Sequence, residues 1–492
     1  MWKGIFLSLL AIFSFQFVFA QNKPVNKPNV VFIIADDIGW GDIGFYGNKD
    51  VKTPNIDALG ASGMAFNNMY LTISSCSPSR CSIITSRYPH NTGAPELHDP
   101  LPATQTMFPR ILRKSGYYTG LSGKNHMGNA VKVAFDTVSL GKGPGGEEDW
   151  VSIMEKRPRN KPFFFWFASH DAHRDWQFDK NGDIYDPERI GVPPMLYNGP
   201  ETRKDLSAYY HEVSRLDHFV GKVVEELKHQ GIFENTYVIF MSDNGSPFPR
   251  NKVRLYDSGI KSPFIITGPG IDVTRSNSLL SSIDIAPTIL DLTGTAIIDK
   301  RIQGKSFYSV LQGDKTTTRD FVFAEHNWHV FQAYERMVRY RNWVYIRNGF
   351  PERQDLAGES ARNFPAGKEL WDAHDKGLTN KNQVDIFLKP RPTEELYNVA
   401  EDPFQFTNVA SISGNKEILL YLRKVLDIWI EETGDSKPQN PTPDRDDVDG
   451  KKLPGKWSRG ERPGKQNNAE SINRTGPILE RDVKMKKPDK LS

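Results

Sequence analysis

Cysteine is nearly missing from this chain: Cys76 and Cys81 are the only two among 492 residues. A disulfide framework is therefore excluded. Even the single possible pair is poor, because residues five apart on a helix do not share a face. Cys81 reads as a small packed side chain, whereas Cys76 asks for a chemical explanation. An excess of one charge is also lacking. Lys and Arg number 63 against 60 Asp and Glu, a formal +3, too little to draw the chain to nucleic acid or a membrane by bulk electrostatics. An anionic ligand would have to be met by a local cluster of positive groups. Internal repeats are absent, and a long apolar run occurs once. Met1 to Lys3 is a short basic start, Ile5 to Phe19 is almost wholly apolar, and Val18-Phe19-Ala20 offers a cleavage point before Gln21. This reads as a secretory signal peptide over residues 1–20, shorter than the roughly 20 apolar residues of a membrane anchor. The expectation is an exported protein, periplasmic or secreted, with no stable membrane insertion and no nucleic-acid partner.

What is present is ordinary material for a large core: 38% hydrophobic and 25% charged residues, with a length that allows two or three domains. Val30-Val31-Phe32-Ile33-Ile34 ends in Ala35-Asp36-Asp37. Pro162 to Phe167 ends in Ser169-His170-Asp171, and Tyr237-Val238-Ile239-Phe240 ends in Ser242-Asp243-Asn244-Gly245. Unbroken β-prone runs with polar ends predict strands buried on both faces, as in a parallel sheet covered by helices. Ligand sites in such sheets lie beyond the carboxyl ends of the strands, so all three runs deliver their polar clusters to one edge. Apolar residues at three- and four-residue spacing predict an amphipathic helix over Leu206 to Gln230 and a shorter one over Ile283 to Leu292. From about Phe321 the rhythm changes to short aromatic strands such as Trp343 to Ile346, followed by a helix from Lys416 to Glu432. After Gly434 the chain is rich in Lys, Pro, Gly and Asp, which predicts a tail that is disordered or draped over the surface.

Asp36, Asp37, Asp243 and Asn244 are hard oxygen ligands, suited to Ca²⁺ or Mg²⁺ rather than zinc. One such pair alone would read as a strand-end turn. Its recurrence after a second strand points to a metal. In Ser75-Cys76-Ser77-Pro78-Ser79-Arg80, Arg80 follows Cys76 by one helical turn and can reach back to it.

These elements resemble the type I sulfatase family, whose Cys-x-Pro-x-Arg signature marks a cysteine that is oxidised to formylglycine (3-oxoalanine). Further elements occur in the family's order: Asn29 to Asp37, Gly123-Lys124-Asn125-His126-Met127-Gly128, Ser242 to Gly245, Asp284-Ile285-Ala286-Pro287-Thr288, and Glu395-Leu396-Tyr397-Asn398 with Asp402-Pro403. The resemblance implies an alkaline-phosphatase-like α/β/α sandwich over residues 21–315, a smaller C-terminal α+β domain over 316–435, and the basic tail over 436–492. It implies one Ca²⁺ held by Asp36, Asp37, Asp243, Asn244 and residue 76. Cys76, Arg80, His126 and His173 would be catalytic, with His173 as general acid, and Lys124 and Lys252 would bind sulfate. Lys261 takes the position of a structural arginine. A hydrated aldehyde at 76 explains the modification: one hydroxyl attacks sulfur, and the other lets the aldehyde re-form and expel the sulfate, which a serine could not do. A formylglycine-generating or sulfatase-maturating enzyme is the implied partner.

Ser74 to Arg80, His170-Asp171-Ala172-His173-Arg174 and Asn244 to Pro249 look most like the sulfamidase (heparan N-sulfatase) branch, which includes bacterial polysaccharide sulfatases. Within it, His98, Arg174 and His326 would line a sugar subsite. The expected substrate is a sulfated glycan: an algal one such as ulvan or carrageenan, or a glycosaminoglycan. An N-sulfoglucosamine sulfohydrolase, a phosphonate or phosphate monoester hydrolase of the same superfamily, and an inactive glycan-binding homologue remain open.

Overall fold

The computed structural model describes residues 27–297, 299–314, 316–485 and 487–488; the signal peptide expected over 1–20 lies outside them. The main sheet has eight strands. In chain order they are β1 (Asn29–Ala35), β2 (Met64–Phe66), β3 (Tyr118–Gly123), β4 (Thr137–Ser139), β5 (Phe163–Ala168), β6 (Thr236–Ser242), β7 (Phe264–Thr267) and β8 (Thr274–Ser276). Across the sheet they run β8-β2-β7-β6-β1-β5-β3-β4. β6, β1, β5, β3 and β4 are parallel neighbours, while β7 is antiparallel to both β6 and β2. The three apolar runs are thus adjacent parallel strands, in the register Ala35↔Ser242 and Ile34↔Ala168.

Alternate side chains of β1 enter separate cores, as a strand's period of two requires. Val31 and Ile33 pack with Tyr209, Val213, Leu216, Val220 and Leu227 of α2 (Pro200–His229). Val30, Phe32 and Ile34 pack with Ile83 and Ile84 of α1 (Cys76–Thr85) and with Ile285, Ile289 and Leu290 of α3 (Ile285–Leu292). Helices on both faces make an α/β/α sandwich. Each of these large side chains removed from water is worth roughly 1.5–3 kcal/mol. α2 begins six residues before its expected start, because Pro200 at its first turn needs no amide partner there.

A second, antiparallel sheet runs β9 (Phe321–His326), β10 (Glu335–Tyr340), β11 (Trp343–Asn348), β12 (Glu394–Asn398) in that spatial order. One face, with Phe323, Val338, Tyr345 and Leu396, packs on Leu422, Val425, Leu426 and Trp429 of α4 (Lys416–Thr433). The other face, with Val322, Met337 and Ile346, joins the main core. The tail is docked. Ile478 and Val483 are buried in the α4 core, and Arg87 donates to the carbonyls of Glu470 and Ile472 at 3.1 and 2.8 Å. No helix among the described residues is long and apolar enough to cross a membrane.

Candidate active site

The carboxyl edge of the parallel strands gathers the polar clusters. β1 delivers Asp36 and Asp37, β6 delivers Asp243 and Asn244, β5 leads to His170 and His173, and β3 leads to Lys124. Gly123 is required in that last turn: its φ is +92°, and a Cβ there would stand 1.8 Å from the Ala168 carbonyl oxygen. Above this edge α1 starts at Cys76, with Ser75 extended before it, so free amides at the helix N-terminus face the cluster.

Cys76 is buried and unpaired, as is Cys81. The Cys76 thiol lies 3.7 Å from Asp37 Oδ1. Burial pushes its pKa well above the usual thiol value, against the pull of Lys124 and Lys252. A native cysteine here is a protonated thiol and a weak nucleophile. Arg80, one turn on and fully buried, donates from Nε to Asp243 at 2.7 Å and from Nη1 to the Lys124 carbonyl at 3.1 Å. Lys124 Nζ pairs with Asp36 Oδ2. Lys252 Nζ pairs with Asp37 Oδ2 at 2.8 Å.

Burial works to raise the Asp36 pKa, but Lys124, His173, Arg80 and Lys252 outweigh it and hold the carboxyl well below its usual range. For Asp243 burial wins over Arg80, and the pKa is raised to about 6. Asp36, Asp37, Asp243 and Cys76 place their ligand atoms within 4.8 Å of one another. Asp36 Oδ1 and Asn244 Oδ1 are buried acceptors with no hydrogen-bond partner. Orphaned acceptors in an otherwise oxygen-rich set fit a hard divalent cation, which prefers carboxylate and amide oxygens.

Three histidines approach this core. His126 shares a 2.7 Å hydrogen bond between its Nε2 and His98 Nδ1, while its own Nδ1 is buried without a partner. Burial, then Lys124 and His98, drives the His126 pKa far down, so the ring is neutral. His173 holds its Nδ1 2.5 Å from the Arg174 carbonyl and is likewise kept neutral by burial, Lys252 and Lys124. It lines a cleft of about 240 Å³ together with His170, Asp171 and Gly146. Asp37, His98 and His126 all adopt left-handed φ, between +50° and +65°. Such backbone costs about 1–3 kcal/mol per residue and clusters at functional sites.

Against known proteins, residues 28–144 and 147–295 match the sulfatase family model, more than half of the chain. The chain belongs to the sulfatase family. It is a sulfuric ester hydrolase by that membership, and residues 250–346 also match the N-sulphoglucosamine sulphohydrolase C-terminal model. An ulvan-active sulfatase of Formosa agariphila is 28% identical over 471 residues, covering 84% of this chain and 76% of the relative. Human N-sulphoglucosamine sulphohydrolase is 28% identical, covering 83% and 90%. A crystal structure of Ps i-CgsB bound to k-i-k-neocarrahexaose superposes with a TM-score of 0.64 at 22% identity, covering 82% of this chain and 93% of the other. The phosphonate monoester hydrolase of Agrobacterium radiobacter reaches 0.61 at 18% identity, with 82% and 96% covered. These likenesses establish the alkaline-phosphatase-like fold.

One sugar-subsite expectation for this sulfatase, His326, gives way to a structural role, while Arg174 lines the His173 cleft and is braced from behind. The Arg174 guanidinium clamps Asp205 at 2.6 and 2.7 Å and the Pro247 carbonyl at 3.1 and 3.2 Å. It is also packed on the rings of Trp176, Phe248 and Phe364. His326 is buried at the end of β9, 3.4 Å from both Glu335 and Asp355. Its strand turns it into an ion-pair network rather than toward the cleft. Lys261 stacks 3.9 Å over Trp40, apart from the metal-ligand set. Lys252, whose spacing departs from the family pattern, is brought in by a left-handed Val253 (φ +68°) whose amide donates to Ser74 O and Oγ, both at 3.0 Å.

Two neighbours escaped sequence reasoning. His329 Nδ1 lies 2.6 Å from Ser75 Oγ, and Glu359 Oε1 lies 3.2 Å from Lys252 Nζ. Both sit in irregular stretches that no spacing rule links to Cys76.

Proposed function

We propose that the chain is an exported, calcium-dependent sulfatase that hydrolyses sulfate esters of sulfated oligo- or polysaccharides after a maturation enzyme has converted Cys76 to formylglycine. The observation that carries this reading is the setting of Cys76. A buried residue at a helix start, beside Asp37, Lys124, Lys252 and Arg80, is placed for an oxygen nucleophile and badly placed for a thiolate. When bound by Asp36, Asp37, Asp243, Asn244 and residue 76, Ca²⁺ supplies positive charge that acidifies the formylglycine hydrate and attracts sulfate oxygens.

The chain's own groups do the rest. Lys124 and Lys252 present ammonium groups to the sulfate, neutralising charge that would repel an oxygen nucleophile. Arg80 keeps Asp243 and the Lys124 turn in register with residue 76. Neutral His126 is able to take a proton from the hydroxyl at residue 76. His173 gives a proton to the departing sugar oxygen; a bound sulfate adds negative charge beside the two lysines and so favours the protonated ring.

Glycans are supported as substrates by the names of the relatives, an ulvan-active sulfatase and an N-sulphoglucosamine sulphohydrolase, and by structural neighbours solved with k-i-k-neocarrahexaose and D-glucosamine-2-N,6-O-disulfate. Ulvan, carrageenan and glycosaminoglycans are the candidates. A second reading, cleavage of the N-sulfate of glucosamine, is favoured by the match over residues 250–346. Export rests on the apolar run at residues 5–19.

The test is sulfate release by the purified protein, made with and without a maturation enzyme, on defined O- and N-sulfated oligosaccharides with products read by NMR. Release that depends on maturation supports the reading. Hydrolysis of phosphonate esters alone would replace it with a phosphonate hydrolase, and no turnover of either class would leave a glycan-binding protein.

A further inference from the structure

The segment 440–462, which composition alone marks as tail, grips the loop that carries His98. Thr442 Oγ1 donates to Glu96 Oε2 at 2.7 Å, and Arg459 Nη1 donates to the same oxygen at 3.1 Å. Arg459 Nη2 reaches the carbonyl of Leu97, the residue before His98. Arg462 holds Asp99 Oδ1 at 2.9 Å and the Gly93 carbonyl at 3.1 Å. The same segment holds a second loop at the site. The Arg445 amide donates to the Val330 carbonyl at 2.8 Å, beside the His329 that meets Ser75, and Trp328 Nε1 donates to the Pro443 carbonyl at 2.8 Å.

His98 itself is solvent-exposed while it bonds His126, so it marks the mouth of the site. Two tail arginines stand beside it. Burial pushes the His98 pKa down first, then the positive fields of Arg445 and Arg459, ahead of those of Lys124 and Lys252. Among the described residues, the Arg445 guanidinium bonds only its own neighbour Asp446, at 3.1 and 3.2 Å, and Asp446 is shared with Lys452 at 2.8 Å. The local balance is positive, and the Arg445 side chain keeps 29% of its surface exposed.

We propose that segment 440–462 is a wall of the substrate cleft, where Arg445, flanked by Arg459, binds a second anionic group of the glycan. That group is a sulfate or carboxylate on the sugar next to the one being desulfated. With Nε and Nη2 turned to Asp446, Arg445 keeps its Nη1–Nη2 edge for either group, and such an edge meets two oxygens at once. The inference rests on the glycan reading above and deepens it: the substrate carries at least two acidic groups on adjacent sugars.

The test compares mature full-length wild type with Arg445→Ala on two substrates, a monosulfated monosaccharide and a disaccharide bearing a further sulfate or uronate. The disaccharide KM should rise about tenfold at unchanged kcat, and its dependence on salt should weaken. Monosaccharide kinetics should stay as in wild type, and Arg445→Lys should recover part of the loss. Equal effects on both substrates, or none on the disaccharide, would overturn the proposal. Failure of the sulfatase reading looks different, since wild type would then release sulfate from neither substrate. A calorimetric titration of both proteins with the disaccharide still reads the rim in that case, and equal affinity would sink it.

Discussion

Among the described residues, two buried groups with carboxylates bring ligand-type atoms close together, one at the end of β1 and β6 and one around His326, Glu335 and Asp355. In the second group guanidinium groups fill the space. Arg254 lies 2.6 Å from Asp355 and 2.7 Å from Asp385, Arg391 pairs with Glu335 and lies 3.2 Å from Asp355 and from Glu395, and Tyr256 donates to Glu395 at 2.8 Å. Planar, permanently charged side chains of fixed reach neutralise that group. In the first group two of the three cations are lysines, and Asp36 Oδ1 and Asn244 Oδ1 remain without partners. Like composition, different neutralisation: arginines tie the small sheet to the main one in the second group, where Asp355 Oδ2 and His326 Nδ1 also lack a well-aligned hydrogen bond, whereas lysines meet Asp36 and Asp37 in the first.

The sharpest way to separate the two groups is to remove Cys76. Cys76→Ala should lower kcat by about 10⁴-fold or more with an unchanged circular dichroism spectrum and melting temperature. The active wild type should show, by mass spectrometry, an aldehyde in place of the thiol. A full-rate preparation with an intact thiol would refute the whole scheme. Next in size, Asp355→Asn should cost about 1–3 kcal/mol of stability by removing one of the two carboxylates that hold buried Arg254, read by denaturant unfolding, while the folded fraction keeps its kcat. Asp36→Asn should also cost stability, because buried Lys124 loses its partner, but unlike Asp355→Asn it should lower the kcat of the folded fraction. If both variants fail alike, the two groups do not differ as described.

His173→Ala should slow sugar sulfates by about 10²–10⁴-fold and activated aryl sulfates much less, since only a poor leaving group needs the proton. The smallest effect concerns a third acidic group, Glu147, Asp171 and Glu212 around Arg215. Burial, with help from Asp171, raises the Glu212 pKa from 4.5 to about 8. A raised carboxyl pKa stabilises the fold fully below the unfolded value and loses that contribution as pH rises through the folded one. The melting temperature should therefore decline between about pH 4.5 and 8, and Glu212→Gln should flatten that slope. An unchanged slope in the variant would place the titration elsewhere.

Much of the sandwich was legible in advance, because β1, β5 and β6 are too apolar and too short to be anything but buried strands, and their polar ends share an edge once they are parallel. That Arg80 stands one helical turn after Cys76 was legible for a local reason, whereas its partners, Asp243 and the Lys124 carbonyl, come from other strands. Lys252 was harder, since its approach depends on the left-handed Val253. His329 and Glu359 were not legible at all: each reaches the site by long-range packing of loops. For the tail, composition left two alternatives, disordered or draped over the surface; it is docked, with Ile478 and Val483 entering the α4 core, a detail its Lys, Pro and Gly content hides.

By itself the sequence determined the strand ends, the oxygen-bearing residues that meet at one edge of the sheet and the family, because these depend on contacts a few residues apart or on linear motifs. Tertiary structure alone decided that Arg174 clamps Asp205, that His326 joins an arginine network, and that residues 440–462 hold the loop that carries His98. A charged side chain takes its role from whichever opposite charge folding brings within about 4 Å. For these residues that partner comes from a distant part of the chain, where local spacing carries no information.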